Sequence, residues 1–247
     1  MANLVLDIGN TLQKAAIFEN GNLKDIVRKP FLQKSDLQLF IDKFQIKSAI
    51  ISEVGEIDKE TFEFIKNNFF TLKLSTKLKL PIKILYETPE QLGNDRVAAA
   101  VAAWTQFPEN DALAIQAGTC LVFDFINRKG EYLGGAISPG LQMRFKALSA
   151  FTEKLPLVTP DCNAPLPDSI VGTSTEKSIL TGVLHGITDE IDSEIERYRS
   201  QFPTLKVILT GGDMPYLKKS IKNTIFANSN LVLEGLNKIL ETNAIRK

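Results

Sequence analysis

Apolar positions along the first thirty residues recur at the two-residue period of strands. Val5 to Asp7 reads as a buried strand, Gly9-Asn10 as a turn, and Lys14 to Phe18 as the returning strand. Asn20-Gly21 marks a second tight turn before a third strand around Leu23 to Val27. The period then alternates. A helix is predicted from about Ser35 to Phe44, a strand over Ser48 to Val54, and a helix from about Asp58 to Asn67. Strands near Thr71 to Leu74 and Ile82 to Tyr86 follow, and such alternation argues an α/β protein.

Thr88-Pro89-Glu90-Gln91 has the form of a capping box with proline at the first helical position. An alanine-rich helix, Val97 to Trp104, then runs to Phe107-Pro108. The polar stretch 108–111 is the expected domain boundary, dividing the chain into 1–108 and 109–247. Leu113 to Thr119 next repeats the opening theme, a buried strand ending in Gly118-Thr119, with Leu121 to Ile126 as its return. A turn at 127–130 leads into a third strand, Tyr132 to Ile137. Asp7-x-Gly9-x-Thr11 matches Gln116-x-Gly118-Thr119 with one residue fewer, and Gly21 matches Gly130, which suggests a duplicated domain.

The rest reads as a helix near Leu141 to Ala150 and a proline-rich loop from Pro156 to Pro167. A long helix to about Arg199 follows, capped by Thr173-x-x-Glu176. Val207 to Leu209 forms a strand, Gly211-Gly212 a turn, Asp213-Met-Pro another helix start, and Leu231 to Leu240 a last helix for which Asn228 is the candidate cap.

Composition narrows the function. In 247 residues, 44% are hydrophobic and 23% charged, as in a packed globular protein. Lys plus Arg balance Asp plus Glu at 29 each, so no overall field draws nucleic acid or an anionic membrane. Cys120 and Cys162 stand apart in no metal-ligand spacing and fit a reduced cytoplasm. MANLVLDIGN has no basic stretch followed by a long apolar run, so neither a signal peptide nor a membrane span is expected. A P-loop is excluded because no GxxxxGK[ST] run occurs. His185 is the only histidine and no GxSxG accompanies it, which leaves no serine hydrolase triad.

Four glycine-rich segments carry candidate chemistry. Phosphate needs backbone N–H donors and a cation at close range, and only glycine lets the backbone approach so nearly. Asp7-Ile-Gly-Asn-Thr-Leu-Gln-Lys14 offers such a turn, an acid for Mg²⁺ and a lysine, although an ordinary hairpin reads the same way. In Gly93-Asn94-Asp95-Arg96 the acid could take the proton of an attacking hydroxyl while the guanidinium grips a carboxylate. A solvated ion pair is the plainer alternative. Gln116-Ala-Gly-Thr119, with Asp124 on the return strand, could clamp phosphates as a second glycine turn, or be a simple hairpin. Leu209-Thr-Gly-Gly-Asp213 could let a base or phosphate lie on bare backbone, or be a strand-to-helix turn.

In order and spacing these segments resemble the type III pantothenate kinases: DIGNT, YETPEQLGNDR, AGT with a strand Asp, GGAISPG, GTST before a long helix, and LTGG. The resemblance runs from Leu4 to the stretch 231–236. It implies the superfamily of actin, sugar kinases and heat-shock ATPases, with two duplicated ribonuclease-H-like domains of mixed sheets flanked by helices. It also implies a cytoplasmic homodimer that transfers a phosphoryl group from ATP to pantothenate, the first step toward coenzyme A.

Carried over by position, the resemblance gives Asp7, Ile8, Gly9, Asn10, Thr11, Leu12, Gln13 and Lys14 to the nucleotide, with Asp7 near Mg²⁺ and Thr119 also touching ATP. Tyr86, Gly93, Asn94, Asp95 and Arg96 would contact pantothenate, Asp95 accepting the proton. Thr175 would reach an acceptor pocket completed by a second subunit. Gln116 departs from the pattern, because family members usually have Asp there as part of a potassium or ammonium site. Two alternatives remain at this stage: a kinase for another hydroxyl acceptor, or a nucleotide-binding regulatory protein without turnover.

Overall fold

The computed structural model describes residues 1–53, 55–161, 167 and 169–244. Cys162, Val54 and part of the expected proline-rich loop lie outside them. The chain divides into two compact units. The first holds Met1–Glu109, Ile126–Leu133 and the segment from Asn230 onward; the second holds Asn110–Phe125 and Gly134–Ser229.

In the first unit, β1 (Ala2–Ile8), β2 (Gln13–Glu19) and β3 (Asn22–Lys29) are the expected antiparallel strands. Helix α1 (Lys34–Lys43), β4 (Ile46–Glu53), α2 (Lys59–Asn68) and β5 (Phe70–Lys73) continue the alternation. Both β4 and β5 run parallel, giving a mixed sheet in the order β3-β2-β1-β4-β5. Leu4, Leu6 and Ile8 of β1 join Ala49 and Ile51 of β4 in a core that also takes Leu37, Phe40 and Ile65 from the two helices. The predicted strand over 82–86 shrinks to β6 (Lys83–Ile84), which pairs with Glu131 and Tyr132.

The capping box at Thr88 does not form. Thr88 makes no side-chain cap bond, and Pro89–Gln91 is only a 3₁₀ turn that Leu92 closes. The helix proper, α3 (Asn94–Gln106), starts at Gly93, so Asp95 and Arg96 fall in its first turn. Its face of small residues, Ala98 to Ala100 with Ala102 and Ala103, is buried.

The second sheet takes β7 (Ala112–Ala117), β8 (Cys120–Ile126), β9 (Glu131–Pro139), β10 (Lys206–Thr210) and β11 (Phe226–Ala227) in the order β11-β10-β7-β8-β9-β6. Three successive strands to one side and parallel strands to the other repeat the first unit's plan. Gly21 (φ 77°) and Gly130 (φ 74°) turn the two equivalent corners in the left-handed region that glycine favours. Helices α4 (Leu141–Ala150), α5 (Thr175–Gln201) and α6 (Met214–Leu217) belong to the second unit.

Two predicted caps move. Ser174, not Thr173, caps α5 by accepting the Lys177 N–H. The last helix, α7 (Leu231–Asn243), begins after Asn230 rather than Asn228, and Asn230 accepts from Arg28 instead of capping. The division at 108 read from the sequence puts α7 in the second half, yet its contacts are with α3, β1 and β4 of the first unit. Asn3 on β1 donates to Asn237 on α7 at 2.8 Å and fixes the register of that packing. Among the described residues no helix is long and apolar enough to cross a membrane.

Candidate active site

The loop between β1 and β2 is built around glycine. A Cβ at Gly9 would stand 2.8 Å from the Leu12 carbonyl oxygen, so the turn closes only without one. Gly55, beyond the end of β4, braces it from outside. Its N–H donates to Ile8 O at 2.8 Å, and a Cβ there would come 2.7 Å from Gly9 O. Sequence reasoning missed Gly55, whose signal was a glycine following an apolar strand. Asn10, Thr11 and Leu12 are exposed at the tip. Ile8 is buried in the core, which leaves only its main chain to face a ligand. Gln13 is also buried. Its amide donates to Glu56 O and accepts from the Leu32 N–H, both at 2.7 Å, so this side chain holds the loop's shape.

Register puts Lys14 directly opposite Asp7, and Nζ lies 3.2 Å from Oδ2. At the start of α3, Asp95 is half-buried. Burial chiefly raises its pKa above the ordinary 3.8, and the negative charge of Asp7 adds to the rise. The backbone N–H groups of Arg96 and Asp95 itself oppose both effects. The two acids therefore share one field. Gly93 leaves room for that carboxylate, since a Cβ would stand 2.7 Å from Asp95 Oδ1.

Arg96 is only 7% exposed. Its guanidinium carbon lies 5.6 Å from the ring centre of Tyr86 and 6.0 Å from that of Tyr132, a cation held by two π-faces. Tyr132 comes into place through the pairing of β6 with β9, which nothing in the local sequence around Arg96 announces. Asp7, Lys14, Tyr86 and the 93–96 segment thus belong to one unit, with Asp7 and Asp95 close enough to sense each other.

In the second unit the Gly118-Thr119 turn is backed by two other glycine segments. A Cβ at Gly140 would fall 2.0 Å from Gly118 O, and the Gly140 N–H donates to Thr119 O at 3.2 Å. Gly211, at φ 101°, would place a Cβ 2.1 Å from Ala117 O, while the Asp213 N–H donates to that oxygen at 3.0 Å. GGAISPG and LTGG therefore converge on the AGT turn and leave Thr119 exposed. Burial pushes the Asp213 carboxyl up to about 6. Gln116 Nε2 donates to Asp124 Oδ2 at 3.3 Å, and Asp124 is fully buried. Thr175 is exposed at the start of α5, on a groove of about 750 Å³ that it shares with Arg144, Phe151 and Val183. Glu190 and Ser138 hold Arg144 in place.

The profile of the type III pantothenate kinases matches residues 3–197. A type III pantothenate kinase of Christiangramia forsetii is 45% identical over 245 residues, covering 98% of each chain. This chain belongs to the type III pantothenate kinase family. Solved structures agree on the fold. The activator of the 2-hydroxyisocaproyl-CoA dehydratase from Clostridium difficile, with bound ADPNP, superposes with a TM-score of 0.55 at 12% identity, over 98% of this chain and 97% of that one. A ROK family glucokinase from Streptomyces griseus, in complex with glucose and AMPPNP, gives 0.51 at 12% identity over 96% and 98%. This chain thus has the fold of the actin-like ATPases and sugar kinases.

Membership in the type III pantothenate kinase family implies ATP with a divalent metal. Among the described residues no three or more His, Cys, Asp or Glu side chains gather as a metal cage. The Asp7 carboxylate suits Mg²⁺ nonetheless, because that ion binds through one or two carboxylates and takes its other ligands from phosphate and water.

Proposed function

We propose that this chain transfers the γ-phosphoryl group of ATP to the primary hydroxyl of pantothenate, giving 4′-phosphopantothenate. The observation that carries the reading is the Asp95 carboxylate, its pKa raised by burial and by Asp7, beside the buried Arg96 guanidinium. Asp95 takes the hydroxyl proton as the oxygen–phosphorus bond forms and ADP leaves. A base with a raised pKa holds that proton better. Arg96, pinned by Tyr86 and Tyr132, pairs with the pantothenate carboxylate, and such charge-assisted bonds are strong where water is scarce.

Lys14 and the N–H groups of Gly9 to Leu12 receive the phosphates, and we assign Thr119 to the nucleotide as well. Asp7 holds the divalent cation, which offsets the charge spread over the transferred phosphoryl group. Gly93 and Asn94 shape the acceptor side. We assign Thr175 to an acceptor pocket completed across a homodimer, supported by its exposure beside Phe151, an aromatic side chain 88% exposed.

The direct test is ADP formation by the wild-type protein with ATP and Mg²⁺. We expect ADP to appear only when pantothenate is added. Equal ADP release without it, or none in either case, overturns the assignment.

Gln116 bears on the monovalent cation. Were both positions 116 and 124 acidic, a cation would be needed to hold them together. Here the Gln116 amide supplies the link as a hydrogen bond to Asp124. A unit charge about 4 Å from a cation is worth about 4 kcal/mol at an effective dielectric of about 20, so losing the carboxylate weakens that site. Initial rates should change little as potassium replaces an inert cation; strong saturable activation refutes the idea.

A further inference from the structure

Asp7 has a neighbour on each side in the sheet. Lys14 stands opposite it on β2 and Ser52 is its register partner on β4. All three share one face. Leu6 and Ile8 of β1, and Ala49 and Ile51 of β4, turn to the opposite face and enter the core. Four register pairs back along the strands, and so on the same face, Ser48 Oγ donates to Asn3 Oδ1 at 3.5 Å, which shows these alternate positions meeting side by side. Lys14 takes Asp7 Oδ2 from one flank. On the other flank, Ser52 is fully buried, and its hydroxyl makes no hydrogen bond among the described residues.

An alanine would fill the same space without a buried polar atom left over, and such an atom is costly unless it finds a partner. Serine rotates between staggered wells, so the hydroxyl can turn within its site. Adjacent strands lie about 4.8 Å apart, which brings the facing Asp7 carboxylate within its reach.

We propose that Ser52 is a positioning residue for Asp7: its hydroxyl donates to the Asp7 carboxylate from the β4 side, so that Lys14 and Ser52 together fix the carboxylate's orientation toward the divalent cation. The inference rests on the kinase reading for the identity of that cation. A carboxylate held from one side only keeps a freer torsion and binds the metal less well, as when other hydrogen-bonded supports of metal ligands are removed.

The test uses Ser52→Ala and Ser52→Thr in the full chain, each checked for folding by circular dichroism. Mn²⁺ affinity is read by electron paramagnetic resonance with AMPPNP and no pantothenate. Steady-state kinetics follow separately. We expect Ser52→Ala to weaken Mn²⁺ binding about 10-fold and to lower kcat while the KM for pantothenate stays unchanged. Ser52→Thr, which keeps a hydroxyl, should recover most of the affinity. Mn²⁺ affinity within twofold of wild type in Ser52→Ala overturns the proposal, as does an equal loss in Ser52→Thr. A wild-type protein that binds Mn²⁺–AMPPNP yet never consumes ATP with pantothenate defeats the kinase reading and leaves the Ser52 measurement standing.

Discussion

Asp95→Asn is expected to lower pantothenate-dependent ATP consumption by about 10²- to 10⁴-fold, the usual worth of a positioned general base. The amide matches the carboxylate in size, so the first turn of α3 and the Arg96 contacts should survive. Binding should therefore change less than turnover, with the loss falling on kcat. The pH profile supplies an independent readout. Burial and the Asp7 charge both disfavour the ionised form of Asp95, which moves its titration above the ordinary 3.8. The base must be ionised to work, so kcat/KM should rise with pH through that elevated value and level off above it. The acid limb attributable to residue 95 should vanish in the variant. Equal rates in the two proteins would remove Asp95 from the mechanism.

The second large effect is on stability. Gly235 lies on the buried face of α7, where a Cβ would stand 1.9 Å from the Ala98 carbonyl oxygen on α3 and 2.6 Å from its carbon. Backbone, unlike a flexible side chain, cannot swing aside. Gly235→Ala must therefore push the two helices apart along their closest line of contact. Overpacking of this kind costs about 3 kcal/mol or more. For a chain of this size that lowers Tm by about 6–12 °C. Activity should fall as well, because α3 carries Asp95 and Arg96 in the turn just before Ala98.

Gly182→Ala provides the control. That position on α5 has no neighbouring heavy atom within 4 Å of an added Cβ, so better helix propensity should leave stability unchanged or raise it by up to about 1 kcal/mol. Thermal denaturation of both variants decides the matter. A Gly235→Ala protein melting with the wild type would mean that α7 does not pack on α3 as described.

Why some of this was legible in the sequence follows from the range of each interaction. Strand period, turn glycines and the change to helical spacing act over a few residues, so the hairpins at Gly9, Gly21, Gly118 and Gly130 and most helices could be read directly. The Asp7–Lys14 pair was within reach for the same reason, since a tight turn puts its two ends opposite one another. Helix starts were less secure. Thr88, Thr173 and Asn228 all have good capping chemistry, but a cap forms only where the backbone before it is extended and the side chain meets a free N–H. Gly93, Ser174 and Asn230 occupy the actual starts.

The sequence by itself determined the α/β order, the paired glycine turns and, through the succession of its motifs, the family. Only the tertiary structure decided what meets across long separations: Asp7 acting on Asp95, Tyr132 beneath Arg96, Gly55 against the first loop, Gly140 and Gly211 behind Thr119, and α7 returning to α3. Each of these contacts depends on which strands become neighbours and how closely two backbones approach. Neither leaves a periodic trace in the residues that take part, because distant segments are brought together by burial of the core as a whole.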